Sequence, residues 1–201
     1  MKRSAIFLSA GVPEQPVPDS GEKPRPGTED IRHVEIREAV VALVATITRE
    51  RLLVFGGHPA ISPLVEHAAR SMGTTENVHI FQSRYCEEES PEEAARFQNF
   101  HWTDRREDRE ESLSLMRNKM LAFDRYGAAF FIGGMEGILA EYRMFRGEHT
   151  NAMTFPIEST GGASAILWRE LEPDMAPDVH RDLSANTRYG SLFRKLLRDV
   201  D

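Results

Sequence analysis

Short, almost wholly apolar runs recur along the chain and stop at polar or glycine-rich turns. There are five: Ala5–Leu8, Leu52–Phe55, Val78–Phe81, Ala128–Ile132 and Ala152–Phe155. Each has the length of a strand and lacks polar alternation, as expected of strands covered on both faces. Helical spacing fills the intervals. Ile36, Val40, Leu43, Val44 and Ile47 fall on one stripe, and so do Leu113, Met116, Met120 and Phe123. Ser90-Pro91-Glu92-Glu93 reads as a capping box with proline at the first helical position. Asp104 followed by Glu107 repeats the logic with an aspartate cap. Strands alternating with helices predict an α/β fold, with a mostly parallel central sheet of about five or more strands.

The 201 residues suit a single domain spanning 1–201. Lys+Arg number 25 against 32 Asp+Glu, a formal net charge of −7. That balance excludes a general nucleic-acid or anionic-membrane binder, because both partners require a cationic face. The lone Cys86 permits no internal disulfide and no cysteine-built metal site, and the seven histidines lack metal-ligand spacing. Nothing calls for a metal or another cofactor. No apolar run approaches the roughly 20 residues of a membrane span. The opening MKRSAIFLSAG is too short in apolar residues for a secretory signal, so a cytoplasmic protein is expected. Residues 11–30, rich in proline and glycine, are expected to form a long mobile loop. Glu170–Asp182 is polar and irregular. A C-terminal amphipathic helix is assigned to 183–201 on Tyr189, Leu192, Phe193, Leu196 and Leu197.

The segments just after the strands point toward function. Leu52–Phe55 runs into Gly56-Gly57-His58-Pro59-Ala60, and Ala128–Ile132 into Gly133-Gly134-Met135-Glu136-Gly137. Ala152–Phe155 leads to Ser159-Thr160-Gly161-Gly162-Ala163-Ser164. Glycine permits a sharp turn and close approach to a ligand, and a helix N-terminus offers unpaired N–H groups to phosphate. The dipole contributes about 0.3–1 kcal/mol and each charge-assisted hydrogen bond roughly 1.5–3 kcal/mol. In a parallel sheet these loops share the carboxyl edge, where open α/β sheets bind ligands. Ser9, at the end of the first strand, belongs to the same edge. No Walker lysine follows these glycines and no G-x-G-x-x-G occurs, so the ATPase and dinucleotide fingerprints are missing. Other readings stay open. Strand-to-helix turns need glycine for steric reasons alone, Ser159 and Thr160 suit helix caps, and His58 suits a turn. The Arg117 stem could cover apolar surface, and Glu141 could pair with Arg143 or Arg146.

A Gly-Gly loop after a buried strand, a helix carrying Arg117, and a second Gly-Gly loop whose helix carries Glu141 resemble the SLOG superfamily. That group includes LOG-type phosphoribohydrolases, the DNA-processing protein A domain and ligand-sensing domains of bacterial defence systems. The likeness covers roughly residues 2–168. It implies a Rossmann-like three-layer sandwich. LOG enzymes carry P-G-G-x-G-T-x-x-E after a helix bearing a catalytic arginine. Here Arg117 precedes Gly133 by sixteen residues, and Ile132 to Glu141 stand in for the loop. Ile132 replaces the proline, one residue is inserted between the glycines, and Ile138 replaces the threonine. The resemblance therefore implies two functions. One is the sensing of a nucleotide or nucleotide-derived ligand, by a homo-oligomer or through a separately encoded effector. The other is hydrolysis of a nucleoside 5′-monophosphate, with Arg117 and Glu141 as the catalytic pair. The ligand-facing residues would be Ser9, Gly56, Gly57, His58, Gly133, Gly134, Met135, Glu136, Gly137, Ser159, Thr160, Gly161 and Gly162.

Overall fold

The computed structural model describes residues 3–12, 32–89 and 96–201. The capping box at Ser90 and most of the expected 11–30 loop lie outside the described residues. Six strands form one all-parallel sheet among the described residues: β1 (Ala5–Gly11), β2 (Leu53–Gly56), β3 (Val78–Ser83), β4 (Asn99–Thr103), β5 (Tyr126–Gly133) and β6 (Met153–Ile157). Their spatial order is β4-β3-β2-β1-β5-β6. The direction in which successive strands are added therefore reverses between β1 and β5.

The unbroken apolar character of the strands reflects two cores rather than one. Side chains alternate across the sheet with period 2. Ile6, Leu8, Phe130 and Ile132 enter one core, with residues of α1 (His33–Ile47) and α2 (Ser62–Met72). Ala5, Phe7, Ala129 and Phe131 enter the other, with α3 (Arg109–Leu121), α4 (Glu136–Glu148) and α5 (Gly162–Glu170). Phe7 is the centre of the second core, stacked on Phe145 with ring centroids 5.4 Å apart and edge-on to Tyr126 and Phe131. Helices on both faces of the sheet make the expected Rossmann-like three-layer sandwich.

Several local expectations need correction. Strand β4, Asn-Phe-His-Trp-Thr, is not among the five apolar runs because it is an edge strand with alternating sides. Phe100 packs on the first core and His101 stacks on Phe81 of the second. The cap of α3 is Asp108, whose side chain accepts from the Glu111 N–H at 2.8 Å, four residues beyond the expected Asp104. The polar stretch before the C-terminus contains a helix of its own, α6 (Pro177–Ala185), which places Leu183 in the first core. The C-terminal helix, α7, is confined to Tyr189–Leu196 rather than running over 183–201. At the other edge, Pro156 sits in β6, where a residue without an N–H disturbs no central ladder.

His101 also bears on acid stability. His79 Nδ1 and His101 Nε2 share a hydrogen bond at 3.0 Å, within a cluster of Phe81 and Phe123 rings. Burial lowers the pKa of His101 below the ordinary 6.5. The unfolded chain then binds more protons than the fold at mildly acid pH. The stability from this site is present above 6.5 and lost as pH falls through the folded value. His101→Phe keeps the ring stack and removes the titration. Melting temperatures from pH 8 to 5 should fall less steeply in that variant than in wild type.

Candidate functional site

At the carboxyl edge, where the strand order reverses, a cavity of about 690 Å³ opens between the ends of β1, β2 and β5 and helices α3 and α4. Its walls include Ser9 and Gly11 from β1, Gly56 to His58 after β2, and Gly134 to Gly137 after β5. Arg117 of α3 and Glu141 of α4 also line it.

Two residues 24 positions apart in sequence meet here. Arg117 Nε donates to Glu141 Oε1 at 3.3 Å, and Ser9 Oγ donates to Glu141 Oε2 at 2.6 Å. The Arg117 and Glu141 side chains are only 16% and 14% exposed, so the pair sits in the wall rather than in bulk solvent. The geometry selects among the readings of Glu141, because its partner is Arg117. Arg146 instead reaches the carbonyls of Thr150 and Ala152. With both carboxylate oxygens held, Glu141 has a fixed orientation and keeps lone pairs for a further donor.

The three glycine loops differ in what they offer. The first satisfies itself. Gly57 N–H donates to Phe81 O, His58 N–H to Ser62 Oγ, and Ala60 N–H to His58 Nδ1 at 3.1 Å. Since His58 Nδ1 accepts, the neutral ring carries its proton on Nε2. That nitrogen lies near Gly11, where an added Cβ would stand 3.5 Å from it.

The second loop is different. Gly133 N–H donates to Thr160 Oγ1 at 2.9 Å and Gly134 N–H to the Gly11 carbonyl at 2.8 Å. Among the described residues the N–H groups of Met135, Glu136 and Gly137 meet no acceptor. They open α4 and line the cavity, the arrangement that receives an anion at a helix N-terminus. Gly134 holds a left-handed φ of +69°, and an added Cβ would collide with Ile138. Ile138, 5% exposed, thus packs directly over the glycine turn.

The third loop supports the second from behind. Thr160 Oγ1 receives Gly133 N–H and donates to the Ile157 carbonyl, while Ala163 N–H donates to the Gly134 carbonyl at 2.9 Å. Ser159 Oγ bonds the Tyr189 hydroxyl at 3.1 Å. Ser159, Thr160, Gly161 and Gly162 are buried and do not line the cavity.

Gln82 joins the site without a sequence signal of its own. It lies near the end of β3, is 5% exposed, lines the cavity and sits against Gly57. It follows the run Val78–Phe81 as Gly56 follows the run Leu52–Phe55, but no glycine marks it. Arg109, Arg117, Glu136 and Glu141 all line the cavity, so the charged side chains balance. The unpaired N–H groups and the α4 dipole, roughly half an elementary charge, add positive potential to that balance. Among the described residues no group of His, Cys, Asp and Glu could hold a metal, and no helix is long and apolar enough to cross a membrane.

An all-parallel sheet with helices on both faces, a glycine-turned helix N-terminus and a half-buried Arg–Glu pair at its reversal point defines a Rossmann-like domain. The chain belongs to the SLOG cluster3 family, whose model matches residues 28–197. No curated protein and no solved structure matches it.

Proposed function

We propose that this protein binds a nucleotide or nucleotide-derived ligand in the carboxyl-edge cavity and acts as a sensor of it. The observation that carries the reading is the trio of unpaired N–H groups at Met135–Gly137, set beside the Arg117–Glu141–Ser9 constellation. The N–H groups suit a phosphate. The carboxylate, fixed between Ser9 and Arg117, suits the hydroxyl donors of a ribose. A volume of about 690 Å³ accommodates a nucleotide-sized ligand. Sensing rather than turnover is favoured by Ile138, which puts a buried apolar side chain where the resembled enzymes have a threonine hydroxyl. The bound state would be transmitted through a homo-oligomer or a separately encoded effector.

A second reading rests on the same pair. A fixed carboxylate beside a ribose could orient a water toward the anomeric carbon as the N-glycosidic bond breaks, releasing base and ribose 5-phosphate. Native mass spectrometry after incubation with a mixed nucleotide panel separates the two readings. An intact nucleotide retained on the protein is expected, and release of base and ribose phosphate would establish the hydrolase instead. In that case Glu141→Gln should end turnover while the nucleotide still binds. Absence of any bound mass would remove both.

A further inference from the structure

The opposite edge of the sheet carries a second cavity, also of about 690 Å³, between the amino ends of β1 and β5 and the final turns of α1 and α7. Among the described residues five arginines line it, with Glu50 and Asp201 as the acidic residues. Two of the five are committed within the protein. Arg3 pairs with Glu50. Arg51, 6% exposed, donates to the Ser4 carbonyl at 3.2 Å, the Asp201 carbonyl at 2.6 Å and the Val200 carbonyl. The other three are Arg125, Arg194 and Arg198. Among the described residues their guanidinium groups meet no carboxylate and no hydrogen-bond acceptor.

The helix ends account for part of this charge. The C-termini of α1 and α7 each present about half a negative charge to cations nearby. That offsets about one of the three unpaired guanidinium groups. In a chain of net charge −7, unneutralised arginines gathered around a concave surface run against the overall electrostatics. Arginine presents a planar fork of donors that matches phosphate oxygens two at a time. The arginines come from the segments before β1, β2 and β5 and from the end of α7, so a ligand here would touch neither Arg117 nor the α4 N-terminus.

We propose that this cleft is a binding site for a phosphate-bearing small anion, separate from the carboxyl-edge cavity and independent of the function assigned there. The test is calorimetric titration with inorganic tripolyphosphate. Arg125, Arg194 and Arg198 are exposed, so the triple alanine variant removes no core packing, and its melting curve checks the fold. A control variant, R37A/R143A/R181A, removes the same charge at exposed positions elsewhere. Wild type, the control and Arg117→Ala should bind alike at this site, while the cleft variant should bind about a hundredfold more weakly. Equal binding by the cleft variant would overturn the proposal. So would an equal loss in the control, which would reduce the effect to net charge, or loss through Arg117→Ala alone, which would place the anion in the other cavity. No heat from wild type at millimolar tripolyphosphate would also overturn it.

Discussion

Gly162→Ala should destabilise the protein by about 2–5 kcal/mol and lower its urea midpoint in proportion. Gly162 has φ +64°, where a Cβ-bearing residue is strained by about 1–2 kcal/mol. An added Cβ would also stand 2.7 Å from the Gly134 carbonyl oxygen and 2.8 Å from the Gly133 carbonyl carbon. Both are backbone atoms, so no side-chain rotation relieves the overlap, and the whole Gly133–Gly134 turn must shift. That turn positions Met135 to Gly137, so ligand binding should weaken together with stability. Gly147 supplies the contrast. It lies near the end of α4, and among the described residues nothing stands within 4 Å of an added Cβ. Gly147→Ala should therefore stabilise by roughly 0.5–1 kcal/mol through helix propensity. Comparable losses in the two variants would mean that the third loop does not brace the second.

This bracing explains why the third loop looks, in sequence, like a ligand loop. Ser159-Thr160-Gly161-Gly162 has the residue types of a phosphate loop, and it comes after a buried strand like the other two. The difference lies in where its groups are spent. Thr160 Oγ1 is taken by Gly133, and the space at Gly162 is filled by the neighbouring turn rather than by a ligand. Neither fact can be inferred without the two loops in register. The parallel sheet is legible for a simple reason, since strands that feed two cores must be apolar at every position. Strand β4 feeds both cores only weakly from an edge, so Phe100 and Trp102 alternate with polar residues and its pattern fades into the charged segment beyond Thr103. Arg117 and Glu141 are suggested by resemblance, but spacing leaves Glu141 free to pair along its own helix. Only the packing of α3 against α4 and β1 selects Arg117 and Ser9 as partners. Gln82 has no signal beyond its place after an apolar run.

Arg117→Ala should weaken nucleotide binding about 10- to 150-fold, the loss of one charge-assisted contact of roughly 1.5–3 kcal/mol. The guanidinium has donors beyond the Nε that holds Glu141, and one of them lies beside the α4 N-terminus. Nη2 would stand 3.5 Å from a Cβ on Gly137, adjacent to the unpaired N–H groups. An anion received there could therefore be met by arginine and backbone together. The competing account is that Arg117 merely orients Glu141. A double-mutant cycle decides between them. If Arg117 contacts the ligand, Arg117→Ala should weaken binding by a similar factor in wild type and in a Glu141→Gln background. If it acts through the carboxylate, its effect should vanish once Glu141 is changed. Arg117→Lys sharpens the same comparison, because a single ammonium cannot hold Glu141 and reach the helix N-terminus at once. The expected result is a loss that persists in the Gln background and is only partly restored by lysine. An unchanged affinity in the Gln background would reduce Arg117 to a positioning residue and leave the N–H groups of Met135 to Gly137 as the anion site.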